Sequence, residues 1–223
     1  MNQDYVGKNL KGQDFSEHCL DDVNLRNADL SDANLNKASL IHADLSDANL
    51  AGANLSQAAL NRANLSNANL VGAILIEAVL DGANLCNADL TEAKLSAAHF
   101  GDQADLCGAK FTGANLTGTR FSHANLAGAD FRRSILIGSA IEHSNLDDAN
   151  LAHANLRRAT LSNISMRGAN LFGVDLSQAT LTQVDFQDAN LGGIKINKTV
   201  FSSISGLSRE MEKEIRQQSY QNK

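Results

Sequence analysis

Two imidazoles and two carboxylates stand at spacings that could gather them. Asp102, His123 and His143 follow one another 21 and 20 residues apart, and Glu142 adjoins the last. Imidazole nitrogens with a carboxylate oxygen are a common zinc donor set. Cys86 and Cys107 are also 21 residues apart, while Cys19 stands alone and no C-x-x-C occurs. Such a count indicates neither a disulfide framework nor a zinc ribbon. Carboxylates and amides are abundant but evenly repeated, as in Asp29, Asp44, Asn49, Asn54 and Asn64. That regularity suits turn-forming hydrogen bonds and stacked ladders rather than acid–base work. No G-x-S-x-G, Gly-rich phosphate loop or H-E-x-x-H is present, so catalysis is not expected and no cofactor is implied.

Whether those residues meet depends on the elements that carry them, and a period decides this. From Leu10 an apolar residue recurs at every fifth position through Phe15, Leu20, Leu25 and Leu30 to Leu95 and Phe100. Two residues before each centre the chain is small, as at Ala28, Ala33, Ala38, Ala43, Ala48, Ala53, Ala58 and Ala63. The unit reads A-(D/N)-L-x-x, visible in Ala28-Asp29-Leu30-Ser31-Asp32 and Ala53-Asn54-Leu55-Ser56-Gln57.

A step of five matches neither the helical period nor the alternation of a strand, so the chain must turn at every repeat. If each unit makes one side and one corner, four units close a square coil, and coils stack at roughly 4.8 Å. Leu and Phe fill the interior, and the preceding Ala is small because little room remains beside them. The other three positions face solvent. Aromatic content of 4% and the absence of Pro agree, since nearly every backbone N–H is needed for the ladder between coils.

From Leu10 to Phe201 these residues resemble the pentapeptide-repeat family, and 39 centres in sequence leave chance no room. The resemblance implies an all-β fold, a right-handed quadrilateral parallel β-helix, here of about ten coils at the β spacing, followed by a C-terminal α-helix. Residues 1–9 form a lead-in, 10–204 a single repeat domain, and 205–223 a capping or dimerisation helix. After Phe100 the next centre is Leu106, so one residue is inserted within Gly101-Asp102-Gln103. It is expected as a local bulge for which Gly supplies backbone freedom. Farther on, the small position loosens to Ser134, Ser139, Ser144, Ile164, Val174, Val184 and Ile194.

In this register the Asp102, His123 and His143 column is flat and solvent-facing, with nothing to orient the rings, so no metal is expected there. Cys86 and Cys107 stack on adjacent coils. They are expected as reduced surface thiols, although a Cα separation near 5 Å would permit a bond. Outward apolar residues carry more information, because solenoid walls are normally polar. Val71, Ile74, Ile76 and Val79 lie within one coil; Ile135 and Ile137 lie farther along, flanked by Arg132-Arg133 and Arg157-Arg158. Apolar groups ringed by Arg have the composition of an interface. Partly shielded residues beside solvated arginines are the alternative. After Ser208, a helix N-cap, Leu207, Met211 and Ile215 form a stripe that caps the last coil or pairs two chains, giving a monomer or a C-terminal homodimer.

The net charge of −6 is uneven, with 6 basic and 13 acidic residues in 1–100. No apolar run is long enough for a membrane span, and the start lacks a signal pattern, so a cytoplasmic protein is expected. The function expected is a rigid scaffold for an unidentified protein partner. The alternative comes from the resemblance, since quinolone-resistance and mycobacterial members imitate DNA and engage DNA gyrase through an acidic rod. This chain shares the acidic N-terminal half but carries Arg pairs beyond it. Direct nucleic-acid binding is not expected of a net-negative rod.

Overall fold

A computed structural model describes residues 4–221; Met1, Asn2 and Gln3 of the lead-in and Asn222 and Lys223 at the C-terminus lie outside the described residues. Each repeat turns by the same local device. At Leu25 the Ala28 N–H donates to the Leu25 carbonyl at 3.0 Å, with Asn27 between them at φ 58°. A left-handed third residue is what a type II turn demands. The same position is occupied by Asp32, Lys37, His42, Asp47 and many glycines, and no Val, Ile or Thr adopts a positive φ among the described residues. Branching at Cβ makes that conformation costly.

The Asp or Asn before each centre completes the corner. Asp29 Oδ1 accepts the Ser31 N–H at 3.0 Å, an Asx turn, and also accepts from the Asn49 amide at 3.0 Å on the next coil. Asn49 in turn accepts from Asn69 at 2.9 Å. These are the ladders expected of the repeated amides.

Backbone bonds join the coils. The Leu30 N–H donates to the Asn49 carbonyl at 2.7 Å, and the Asp29 N–H donates to the Lys8 carbonyl at 2.9 Å. Parallel pairing runs from Asp4 to Asn24, Asp44, Asn64 and Asn84, then through Asp105, Asn125, Asn145, Ser165, Asp185 and Ser205. In the second half the pairing lengthens into β1 (His99–Phe100), β2 (Arg120–Ser122), β3 (Ala140–Glu142), β4 (Thr160–Ser165), β5 (Thr180–Asp185) and β6 (Val200–Ser202). These pair in sequence order, all parallel, so the six strands mark about five turns of the β-solenoid in that half.

The interior is a continuous column of Leu and Phe flanked by Ala. Leu30, Leu65, Leu106 and Leu161 have no exposed surface, nor do Ala28, Ala63 and Ala109. Phe100 stacks on Phe121 with centroids 5.0 Å apart, and Phe111 on Phe131 at 4.8 Å, so successive rings follow the coil spacing. Hydroxyls admitted at the small positions borrow backbone carbonyls: Thr119 donates to Leu95 and Ser134 to Phe131, at 2.9 and 2.7 Å. The buried Ser139 hydroxyl finds no partner among the described residues.

At the insertion the ladder step changes, Asn84 pairing with Asp105. Asp102 and Gln103 both take positive φ, and the Ala104 N–H closes on the Gly101 carbonyl at 3.0 Å. Gly101 does not have a left-handed backbone. Its role is closeness rather than freedom, because a Cβ there would lie 2.8 Å from the Asp81 carboxylate and 3.2 Å from the His99 ring. Asp81 Oδ1 accepts the Gly101 N–H at 2.7 Å and meets His99 Nδ1 at 2.6 Å.

The chain ends in α1 (Arg209–Gln221), where the Ser208 hydroxyl accepts the Met211 N–H at 3.2 Å as an N-cap. No helix among the described residues is long and apolar enough to cross a membrane.

Replacing Leu65, whose side chain is wholly enclosed, by Lys places a charge among apolar groups with no partner. Leu65→Lys is expected to lower unfolding stability by about 3–5 kcal/mol. Urea denaturation followed by circular dichroism reads this directly, and an unchanged midpoint would refute the inward placement.

Candidate interaction surface

The ladder that orders the core also orders the outside, since residues one coil apart become neighbours. Ile135 follows Asn115 and precedes Asn155 in one such column, while Gly138 donates to the Arg157 carbonyl at 2.9 Å. Ile135 is exposed and Ile137 half-buried, on either side of buried Leu136. Ile137, Asn155, Arg157 and Arg158 line a depression of about 260 Å³. The structure thus brings Ile137 and the second Arg pair together. Arg158 donates to the Gln178 side chain at 2.8 Å.

Arg132 is differently placed. Its guanidinium binds Asp130 at 2.6 Å through Nη2 and at 2.9 and 3.0 Å through Nε, so it is committed within its own corner. Arg133 is exposed at the neighbouring left-handed position. In the other cluster Val71 and Ile76 are exposed, whereas Ile74 and Val79 are half-buried because they sit in the ladder, Ile74 between Asn54 and Lys94 and Val79 between Ala59 and His99.

The most exposed apolar side chains lie elsewhere, with Val200 at 57% and Phe172 at 47% against 39% for Val71. Phe172 meets His153 edge-on at 5.5 Å and covers Gly192. It occupies the position just after a centre, as Val71 and Ile76 do, and that rule alone could have found it.

Of the chemistry-bearing residues, His123 and His143 stack with centroids 4.9 Å apart. Among the described residues the one convergence of three metal-ligating groups is not this column but Cys86, Asp105 and Cys107, whose ligand atoms lie within 4.8 Å of one another. Cys86 and Cys107 are joined in a disulfide with a Cα separation of 4.7 Å. The expectation of reduced thiols is therefore corrected. The ladder sets neighbouring coils so close that two cysteines in one column are already within bonding reach. Cys19 is free and exposed.

Acidic residues of the first half are interleaved with other groups. Glu17 pairs with Lys37 at 3.6 Å, Lys11 with Asp32 at 3.4 Å, and Glu77 accepts from Gln57 at 2.7 Å. At the C-terminal end Leu207 and Ile215 pack against the core cluster beside Leu191, Ile194, Phe201 and Ile204. Met211 lines a hollow with Leu191 and Leu207. The Gly206 junction is sterically tight, because a Cβ there would collide with the Gln187 N and the Phe186 carbonyl carbon.

Several corner carboxyls titrate below the usual range. The Ser39 hydroxyl, followed by the Ile41 N–H, holds Asp21 down against burial. Arg167 does the same for Asp185. At Asp89, Asp130 and Asp175 partial burial works in the opposite direction. It is overcome by Thr91 and Lys110, by Arg132, and by Ser177 respectively.

A parallel solenoid with repeated Asx corners, a Leu and Phe spine and outward columns defines a class of repeat proteins that present ordered surfaces. The pentapeptide-repeat model matches in overlapping copies that together run over 19–202, and the chain belongs to that family. Among solved structures it is similar to HetL, a pentapeptide repeat protein involved in heterocyst differentiation regulation from the cyanobacterium Nostoc sp. strain PCC 7120. Identity is 32%, TM-score 0.56, over 89% of this chain and 88% of that one. A pentapeptide repeat protein of the Arabidopsis thaliana thylakoid lumen matches at 29% identity and TM-score 0.36, over 58% of this chain and 69% of that one. QnrB1, a plasmid-mediated fluoroquinolone resistance protein, matches at 18% identity and TM-score 0.46, over 96% of this chain and 94% of that one. No curated protein matches the chain in sequence.

Two outcomes follow from the corners and the helix. Carboxyls with depressed folded values stabilise the fold fully above the unfolded value, about pH 3.9, and lose that contribution as pH falls through the folded values. The melting temperature should therefore hold down to about pH 5 and fall below about pH 4, less steeply in Asp185→Asn. Thermal melts across that range test it. Removing residues 207–223 takes Leu207, Met211 and Ile215 away from Leu191, Phe201 and Ile204, with which they line two hollows. Light scattering should then show association, and an unchanged mass would deny the helix any covering or pairing role.

Proposed function

We propose that the protein is a non-catalytic cytoplasmic scaffold, a right-handed four-sided rod of about ten stacked coils that presents fixed side chains to a protein partner. Residues 10–204 act as one domain, which the lead-in 1–9 joins on the same ladder through Asp4 and Asn9, with the segment 205–223 covering its end or pairing two rods. The observation that carries the reading is the Ile135 and Ile137 face beside Arg157 and Arg158, exposed apolar surface edged by guanidinium groups on a rigid wall. Apolar centres with Arg at the margin are typical of protein interfaces. A rigid backbone lowers the ordering cost of binding. Involvement of HetL in the regulation of differentiation fits a relative that acts by binding.

Imitation of DNA toward DNA gyrase is the competing reading, and the acidic first half is the observation that favours it. Phosphate mimicry needs uninterrupted negative columns, whereas Lys37 and Lys11 stand beside Glu17 and Asp32. That interleaving supports the scaffold reading instead.

The test is affinity capture from the protein's own cells with wild type, Ile135→Glu and Val71→Glu, read by mass spectrometry. A partner lost with Ile135→Glu and kept with Val71→Glu is expected, with affinity reduced at least tenfold for the purified pair. Identical capture by all three would overturn the assignment of this face. In parallel, submicromolar inhibition of gyrase supercoiling would replace the scaffold reading by mimicry.

A further inference from the structure

The disulfide sits where the solenoid departs from its own rule. Cys86 and Cys107 follow buried Leu85 and Leu106 on consecutive coils, and the covalent loop between them encloses Asp102 and Gln103, the inserted corner. Their approach is set by the backbone. The Asn87 N–H donates to the Cys107 carbonyl at 2.9 Å, and the Leu85 N–H donates to the Asp105 carbonyl at 2.6 Å. Both cysteines stand in matching Asx turns, the Cys86 N–H on Asn84 at 3.0 Å and the Cys107 N–H on Asp105 at 3.2 Å, so their Cβ atoms leave the wall side by side. A Cα separation of 4.7 Å therefore belongs to the rod whether or not the sulfurs are bonded. Both residues are half-buried, hence reachable by a small thiol.

We infer that Cys86 and Cys107 are a reversible dithiol–disulfide couple, a modification site that locks the irregular coil when oxidised and releases it when reduced. The oxidant is a low-molecular-weight disulfide of the glutathione class. One cysteine thiolate attacks a sulfur of that molecule and expels one thiolate, leaving a mixed disulfide. The second cysteine thiolate then attacks the protein sulfur of the mixed disulfide, forms the Cys86–Cys107 bond and expels the other thiolate. Two electrons and two protons leave the pair, and the small disulfide becomes two thiols. Reduction runs through the same steps in reverse. The regular coils are held by twenty-residue ladders in either state. The loop that the bond closes is one whole coil, and the corner at 101–104, with its two left-handed residues, is the irregular one in it, so its opening is what the couple controls.

The experiment equilibrates the folded full chain in glutathione buffers of graded ratio, quenches in acid, alkylates and weighs it. Oxidising buffer should leave one alkylated thiol, Cys19, and reducing buffer three, with the same midpoint approached from either side. Hydrogen exchange at Ala104 and Asp105 should be several-fold faster after reduction, and the melting temperature lower by about 5–10 °C. Cys19→Ala should keep both shifts, while Cys86→Ser and Cys107→Ala should lose them. Three alkylated thiols in oxidising buffer would overturn the couple. Equal melting and exchange in the two states would overturn the lock. Reduced protein that retains one zinc ion after desalting would instead make the pair, with Asp105, a metal site.

Discussion

A backbone N–H withdrawn from water must find an acceptor, and in this chain the acceptor lies one coil away. The donation from Leu30 to Asn49, repeated along the chain, fixes how far each turn advances and which residue stands over which. Once that registry is set, each inward centre lies on another large apolar centre, as Leu161 does on Ile141, and along the first half the space left beside it admits little more than Ala. The absence of Pro has the same origin, since a missing donor would break a rung. The fold is therefore governed by hydrogen-bond registry first and by side-chain packing second, although packing supplies most of the stabilisation.

The same registry decides what the surface can do. Identical positions on successive coils form columns about one β spacing apart. A column amplifies whatever the sequence places in it: Asn on Asp becomes a hydrogen-bonded ladder, His on His a ring stack, Glu over Lys an ion pair, Cys over Cys a cross-link. A single substitution thus changes a neighbour relation twenty residues away. Exposed apolar residues such as Ile135 break an otherwise polar wall at fixed positions, which is why they carry more meaning than on an irregular surface.

The period of five, the inward Leu and Ala and the Asx role of the outward amides were legible in the sequence because each rests on local chemistry repeated many times. The left-handed third residue was legible in principle, since Gly, Asn and Asp recur there, yet Lys37, Arg62 and Ala97 hide the rule. Gly101 was misread because its reason is the Asp81 carboxylate, a neighbour from the preceding coil. The state of Cys86 and Cys107 was misread for a different cause. Composition speaks to compartment, whereas pairing here follows from backbone registry. Of the surface residues, Arg132 looked available and is held by Asp130, a local interaction that spacing alone did not disclose.

The two halves of the rod are not equivalent, and the inward small position explains why. Down one column it grows from Ala104 and Ala124 through Ser144 to Ile164 and Val184, and down another from Ala114 and Ser134 through Ala154 to Val174 and Ile194. A β-branched residue resists tight corners and favours extended backbone. Ile164 and Val184 lie inside the six-residue strands β4 and β5, where they pair directly, each just after a left-handed residue, Asn163 or Gln183. Enlarging the interior must move the wall outward, since a packed core has no spare volume. Ile137, Arg157, Arg158 and Phe172 are carried by this part of the rod. The coils of the first half keep the Ala rule, and those that relax it carry exposed Phe172 and the depression lined by Ile137, Arg157 and Arg158.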